Sequence, residues 1–215
     1  MIKAERKKWA FIVFDIYLER LLKKYFHDFR LINSFPEISA EKSLVVAPNH
    51  FSWWDGFFVY FLLKKKTNKK VFIMMLENQL RRYWFFHKVG CFSTNPENKQ
   101  SSIATLRYTL DLLRDPESCV VIFPQGEIEP FEKSSYNFNK GIEFLSIHSQ
   151  NEFDVLPIAN KIFYTNEKLP LILTRAEQLI KSSDIKSNPT ILYEKFYQNI
   201  NLLKSDFSTE GESIF

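Results

Sequence analysis

His50 and Asp55 are the two residues whose chemistry and spacing suggest catalysis. They lie five residues apart, directly after the short apolar run Leu44–Ala47. A carboxylate that accepts a hydrogen bond from one imidazole nitrogen fixes the tautomer in which the other nitrogen can take a proton. The pair could therefore supply a general base for a hydroxyl group. The alternative is that both are ordinary loop residues, with Ser52 or Asp55 capping the helix that follows.

A second motif follows another apolar run later in the chain. Residues 121–127 read Val-Ile-Phe-Pro-Gln-Gly-Glu, which predicts a buried strand that leads into a turn at Gly126. Ligands of parallel sheets bind beyond the carboxyl ends of the strands, and glycine lets the backbone approach a ligand closely. We therefore expect Gly126 to lie near His50.

These motifs resemble sequence blocks of the glycerolipid acyltransferases, the family that includes lysophosphatidic acid acyltransferase. Residues 49–55, Asn-His-x-x-x-x-Asp, resemble the first block, and residues 123–127 resemble the third, usually Phe-Pro-Glu-Gly-Thr. Phe-Asn-Lys-Gly at 138–141 and Val-Leu-Pro-Ile at 155–158 are similar to the elements that follow. The resemblance covers about residues 40 to 180.

The resemblance implies an O-acyltransferase of phospholipid biosynthesis. It would move a fatty acyl group from acyl-CoA or acyl carrier protein to a lysophospholipid hydroxyl, with 1-acylglycerol-3-phosphate as the commonest acceptor. His50 would be the general base and Asp55 would orient it, while backbone N–H groups near Gly126 are candidates for stabilising the oxyanion. No metal and no cofactor are expected. The residues expected to bind substrate are Asn49, Phe123, Pro124, Gln125, Gly126, Glu127 and Lys140.

The sequence departs from the family pattern where phosphate is bound. The second block usually ends in an arginine thought to bind the headgroup, but no arginine lies between Arg82 and Arg107. In the third block, Gln125 and Glu127 replace the usual glutamate and threonine, and the arginine that tends to follow is absent. The nearby cations that could substitute are Lys99, Lys133 and Lys140.

Three alternatives to acyl transfer onto 1-acylglycerol-3-phosphate are therefore considered. One is acyl transfer to another lipid or glycolipid hydroxyl, neutral or sugar-like. Another is a catalytically inactive lipid-binding protein on the membrane surface. A hydrolase that uses Ser52 is disfavoured, because the chain contains no Gly-x-Ser-x-Gly nucleophile elbow.

Alternating apolar strands and helical patterns predict an α/β domain with a mainly parallel central sheet flanked by helices. Strands are predicted at 44–47, 71–76, 119–123, 155–159 and 170–173, and a short strand or a turn is predicted at 90–94. Helices are predicted at 57–63, 80–87, 101–114 and 140–148, and from residue 188 onwards. In the helix at 101–114, we expect one apolar face, formed by Ile103, Leu106, Leu110 and Leu113.

Residues 4 to about 30 predict an N-terminal amphipathic helix, so we divide the chain into an N-terminal segment, 1–32, and an acyltransferase domain, 33–215. Asp15, Glu19 and Arg20 interrupt the apolar pattern, which excludes a conventional membrane span. Two placements stay open: the helix lies in the membrane interface, or it packs on the domain. The resemblance favours the first, since such acyltransferases commonly dock on membranes through an N-terminal helical element.

Composition narrows the class of partner. The net charge of +4 is too small for the basic surface of a nucleic-acid-binding protein. Lysine clusters at 3–8 and 64–70 could contact anionic lipid headgroups. Two cysteines, Cys91 and Cys119, are expected to be reduced and partly buried. We therefore expect a peripheral protein on the cytoplasmic face of a membrane, with surface lipids and the acyl donor as partners.

Overall fold

The computed structural model describes residues 1–206 and 208–215. Within this part of the chain, nine strands form one sheet and helices cover it. The elements through β5 are α1 (Lys8–Tyr25), β1 (Asp28–Leu31), β2 (Leu44–Pro48), α2 (Asp55–Lys66), β3 (Lys70–Leu76), α3 (Glu77–Arg82), a 3₁₀ helix (Trp84–Lys88), β4 (Cys91–Thr94), α4 (Lys99–Leu112) and β5 (Ser118–Val121). The remaining elements are α5 (Gly141–His148), β6 (Asp154–Phe163), β7 (Leu171–Ala176), β8 (Ile180–Lys181), α6 (Ser182–Ser187), α7 (Thr190–Ser205) and β9 (Glu212–Ser213).

The strand order is β4-β3-β5-β2-β6-β7-β1-β9, with β8 paired to β6. All neighbours from β4 to β6 pair in parallel, as do β7 and β1. The pairs β6–β7, β6–β8 and β1–β9 are antiparallel. The predicted α/β fold with a mainly parallel sheet is therefore confirmed.

Strand β2 lies at the centre of the sheet, between β5 and β6. Val45 is in register with Val120 on one side and Val155 on the other. All five β2 residues are buried, because helices cover both faces of the sheet. Leu44 and Val46 contact the α1 and α2 side, whereas Val45 and Ala47 contact the α5 side. This packing holds the end of β2, and the loop that carries His50, firmly in place.

Helix α1 ends earlier than the sequence pattern predicts. It was expected to continue to about residue 30, but it ends at Tyr25, and Asp28–Leu31 form strand β1 in parallel with β7. A tertiary strand pairing therefore overrides the helical periodicity there. One face of α1, which includes Phe14, Leu18 and Leu22, belongs to the main hydrophobic core. No helix among the described residues has the length and apolar character needed to cross a bilayer.

Several predicted boundaries also change. Helix α2 runs from Asp55 to Lys66 and is longer than the predicted 57–63, so Lys64, Lys65 and Lys66 form its last turn. Helix α4 buries Thr105 and Thr109, while Ile103, predicted on its apolar face, is 36% exposed. Strand β6 is ten residues long because it pairs with both β2 and β7. Both cysteines are free, and both are buried more completely than predicted.

Candidate active site

The loop between β2 and α2 brings His50 and Asp55 into direct contact. His50 Nδ1 lies 2.8 Å from Asp55 Oδ2. The same carboxylate oxygen accepts hydrogen bonds from the backbone N–H groups of Phe51, at 2.7 Å, and Ser52, at 2.8 Å. Asp55 therefore holds both the imidazole and the loop that carries it.

Asp55 does this from inside the helix rather than from the cap position. Helix α2 begins at Asp55, the cap position is Trp54, and no side chain caps the helix. Ser52 Oγ instead accepts a 2.9 Å hydrogen bond from the Trp54 N–H. The predicted capping roles of Ser52 and Asp55 were thus wrong, because both side chains fold back onto the loop that precedes the helix.

The Asp55 carboxyl is fully buried. Burial raises its pKa above the ordinary value, and the hydrogen bonds from His50, Ser52 and Phe51 oppose that rise. Among the described residues, Oδ1 has no hydrogen-bond partner. The three donors therefore all act on Oδ2. With Nδ1 of His50 engaged by this oxygen, Nε2 is the ring nitrogen left for chemistry.

The His50 side chain is 22% exposed and lies against the ring of Phe123. The two ring centroids are 4.3 Å apart, with an interplanar angle of 30°. Phe123 follows β5, which is the neighbour of β2 in the sheet. The parallel pairing therefore brings the two sequence motifs together at one edge, as predicted.

Gln125 and Glu129 fix the His50 backbone from the β5 side. Gln125 Oε1 accepts from the His50 N–H at 2.6 Å, and Gln125 Nε2 donates to Glu129 Oε2 at 2.9 Å. The Glu129 N–H donates to the His50 carbonyl at 2.9 Å. Lys133 forms an ion pair with Glu129, which is itself buried. Gln125 thus binds the loop that carries His50, although the sequence suggested substrate binding.

A cavity of about 670 Å³ opens beside His50. Its walls are mostly apolar and come chiefly from α2, β3, β4, α4 and the turn after β5, with single residues from α1, α3, the 3₁₀ helix and the start of α5. The apolar lining includes Phe57, Ile73, Met74, Met75, Leu76, Phe86, Val89 and Leu106. An apolar space that ends at a histidine–carboxylate pair suits a long hydrocarbon chain whose reactive end lies at the imidazole.

Four of the predicted site residues line this cavity with His50: Phe123, Pro124, Gly126 and Glu127. Gly126 has φ +75°, and its N–H donates to the Phe123 carbonyl at 3.1 Å. Of the backbone N–H groups near Gly126 that are candidates for oxyanion stabilisation, the one of Gly126 itself is therefore already engaged. The turn also forms part of the cavity wall.

Asn49 and the predicted cations lie elsewhere. Asn49 is buried, donates to the Asn160 carbonyl at 3.0 Å and accepts from the Asn160 N–H at 2.7 Å, so it ties the end of β2 to β6. Lys99 and Lys140 do not line the cavity, and Lys140 is exposed next to Gly141. Lys133 is held by Glu129.

The sequence did not identify Gln79, Thr94, Ser102 and Asn139 as site residues, although all four line the cavity. Thr94 lies in the stretch 90–94, where the family's second block should lie, and this position was the available signal. Thr94 and Ser102 both reach the cavity wall because β4 pairs with β3 and α4 packs against β4. Within residues 1–206 and 208–215, no group of His, Cys, Asp and Glu side chains is arranged to hold a metal ion.

Comparison with known proteins agrees with this geometry. A family model described as Acyltransferase matches residues 29–161, more than half of the chain. The crystal structure of the 1-acyl-sn-glycerophosphate (LPA) acyltransferase PlsC from Thermotoga maritima is similar in fold, with a TM-score of 0.66 and 14% sequence identity. The match covers 89% of this chain and 78% of that one. No curated protein matches the chain.

Proposed function

The chain belongs to the acyltransferase family, and from this premise we propose that it transfers a fatty acyl group from an acyl thioester to a hydroxyl of a lysolipid. One observation carries the proposal: the 2.8 Å contact between His50 Nδ1 and Asp55 Oδ2 at the end of an apolar cavity. A general base and a space for an acyl chain are the two parts that this reaction requires.

In the proposed step, His50 Nε2 removes the proton of the acceptor hydroxyl as its oxygen attacks the thioester carbon. Nδ1–H remains bound to Asp55, whose negative charge stabilises the imidazolium that forms. When the tetrahedral intermediate collapses, the carbon–sulfur bond breaks and the imidazolium returns its proton to the leaving thiolate. The products are an ester and a free thiol. No acyl-enzyme is needed, because the two substrates react with each other directly.

The apolar cavity supports a long-chain donor. Met74, Met75 and Leu76 at the end of β3 and Leu106 of α4 provide hydrocarbon contacts. Methionine side chains adapt their shape to a flexible partner, and burial of each methylene stabilises the complex by about 0.8 kcal/mol. The proposed donor is acyl-CoA or acyl carrier protein. Both present the same thioester, so the chemistry at His50 is the same for either.

The exposed face of α1 supports peripheral association with a membrane. Ile12, Val13 and Ile16 are each at least 50% exposed, and Trp9 and Tyr17 extend the same apolar surface. Aromatic and aliphatic side chains on one helix face suit the interface between headgroups and acyl chains. We propose that this face holds the protein at the cytoplasmic surface of the membrane, where lysolipids reside. The opposite face of α1 packs on the domain.

The acceptor that the sequence resemblance implies is 1-acylglycerol-3-phosphate, which would place the protein in phospholipid biosynthesis. The structure also favours a second candidate, another lipid or glycolipid hydroxyl. The specific observation is that, among the described residues, the cavity lining includes no lysine or arginine.

The test is release of thiol from palmitoyl-CoA, and from a palmitoylated acyl carrier protein, with lysolipid acceptors in detergent micelles. His50→Ala should lower acceptor-dependent release by about 100- to 10,000-fold, the usual contribution of a general base. His148→Ala is the matched control, because His148 is exposed on α5 outside the cavity. Equal release by the parent protein and His50→Ala would contradict the proposal. Membrane binding that persists in a protein without transfer would instead support the lipid-binding alternative.

A further inference from the structure

The polar side chains that line the cavity are almost all neutral. Besides His50, they include Gln79, Thr94, Ser102 and Asn139, and one carboxylate, Glu127. Among the residues that the structure describes, no lysine or arginine side chain contributes to this lining. From this charge inventory we infer that the acyl acceptor has an uncharged, hydroxylated headgroup, such as a glycerol or glycosyl group, with no phosphate near the reacting hydroxyl. The inference deepens the proposed acyl transfer and rests on it.

The nearby cations do not supply the missing charge. Lys133 forms its ion pair with the buried carboxylate of Glu129, and it is not part of the cavity wall. Lys99 begins α4, but its side chain is not part of the cavity wall. Lys140 is exposed next to Gly141 and is likewise not part of that wall. Of the three, Lys140 is the cation whose neighbours on both sides, Asn139 and Gly141, line the cavity, so it enters the test below.

A phosphate monoester bound at this wall would exchange part of its hydration for neutral groups and one carboxylate, because the lining includes no lysine or arginine among the described residues. Burial of an ionised group costs several kcal/mol unless an opposite charge and hydrogen bonds compensate. Glu127 adds repulsion, because it lines the wall at the position where the family usually has threonine. Hydroxyl groups suit the same wall well. They can donate to the Glu127 carboxylate and exchange hydrogen bonds with Thr94 and Ser102.

Two matched acceptors, and a third with a larger headgroup, distinguish a neutral acceptor from a phosphorylated one. 1-Palmitoylglycerol-3-phosphate and 1-palmitoylglycerol differ only by the phosphate, and a 1-palmitoylglycerol with a hexose on its third carbon tests the larger neutral headgroup. The parent protein should acylate at least one neutral acceptor with a kcat/KM about tenfold or more above that for the phosphorylated one. Each reaction is followed by thiol release and by mass spectrometry of the acylated lipid, with His50→Ala as the blank.

The variant Glu127→Arg tests whether the charge of the cavity wall sets the preference for a neutral acceptor. It should shift the neutral-to-phosphate ratio of kcat/KM about tenfold or more towards the phosphorylated acceptor, because it replaces repulsion with a charge-assisted hydrogen bond. Glu132→Arg makes the same charge change in the same loop, outside the cavity lining, and should leave the ratio unchanged. Because the readout is a ratio, a general loss of folding does not imitate it.

Equal or better use of the phosphorylated acceptor by the parent protein would overturn the inference and leave acyl transfer intact. If Lys140→Gln then removed that activity, the phosphate contact would be assigned to Lys140. An unchanged ratio in Glu127→Arg would also overturn the inference, because the wall charge would then not select the headgroup. Absence of transfer to all three acceptors, with no difference between parent and His50→Ala, would overturn the proposed function itself and this inference with it.

Discussion

The Gln125 side chain accepts a hydrogen bond from the backbone N–H of His50 at 2.6 Å, across 75 residues of sequence. The same amide donates to the Glu129 carboxylate at 2.9 Å, and the Glu129 N–H donates to the His50 carbonyl at 2.9 Å. Both backbone groups of His50 are thus held by the turn after β5. The His50 imidazole is therefore positioned by this contact as well as by Asp55.

Replacing Gln125 with the glutamate that the family usually has at this position should be harmful here. Gln125→Glu removes the N–H donor to Glu129 and places two carboxylates in contact. We expect the free energy of unfolding to fall by about 1–3 kcal/mol at pH 7.5. The loss should be smaller at pH 5.5, because two adjacent carboxylates can share one proton. Urea unfolding at both pH values measures this.

A change in kcat that exceeds the change in KM would show that Gln125→Glu displaces the imidazole. Gln178→Glu makes the same substitution at an exposed position and serves as the control. Equal stability of parent protein and Gln125→Glu at pH 7.5 would mean that the contact with Glu129 does not support the fold.

The buried carboxylate of Asp55 should give a specific pH dependence. Burial raises its pKa above the ordinary value of 3.8. Between that value and the raised one, the folded state binds more protons than the unfolded state, so the Asp55 contribution to unfolding free energy falls as pH rises. Asp55→Asn removes this titration. The stability of the variant relative to the parent should therefore increase with pH through this window and level off above it.

Although Asp55→Asn should become more stable relative to the parent as pH rises, it should lower the rate of acyl transfer. Without the carboxylate, the imidazole loses the partner that fixes its tautomer, so we expect kcat to fall about 100-fold or more. Thermal unfolding from pH 3.5 to 8 and thiol release at neutral pH test the two expectations together. A relative stability that stays flat across this range would show that Asp55 does not titrate differently in the folded and unfolded states.

The exposed face of α1 should bind membranes. The double variant Ile12→Asp with Ile16→Asp should partition about tenfold or more weakly onto vesicles of phosphatidylglycerol and phosphatidylethanolamine, since it removes apolar surface from the interface. Its unfolding temperature should change little, because both side chains are at least 50% exposed. Ile147→Asp is the control: Ile147 is 49% exposed, on α5. Parent-like partitioning of the double variant would exclude this face as the docking surface.

Gly126 should be the glycine of the site that tolerates alanine least. Its φ of +75° lies in the left-handed region, where a side chain costs about 1–2 kcal/mol. An added Cβ would also meet Asn139 Nδ2 at 2.1 Å. The double variant with Asn139→Ala should remove that clash and keep the backbone strain. Gly56→Ala provides the contrast in thermal unfolding, because a Cβ there meets no atom within 4 Å.

Local pattern determined the secondary-structure elements and the central pair of the site. Alternating apolar runs predicted the strands and helices around β2, and the five-residue spacing of His50 and Asp55 predicted their contact. Both succeed because the interactions involved lie within one short segment. The predicted end of α1 was wrong because residues 28–31 pair with β7, which is far away in sequence.

The roles of Asn49, Gln125 and the lysines were decided by tertiary structure. The sequence predicts that Asn49 binds substrate beside His50, but in the structure Asn49 is buried against Asn160 of β6. Gln125 contacts His50 only because β5 pairs with β2. Which side chains line the cavity, and hence the absence of lysine and arginine from that lining among the described residues, depends on several helices and strands meeting beside His50. Sequence spacing determines neighbours along the chain, whereas strand order and burial determine which of their side chains meet in space.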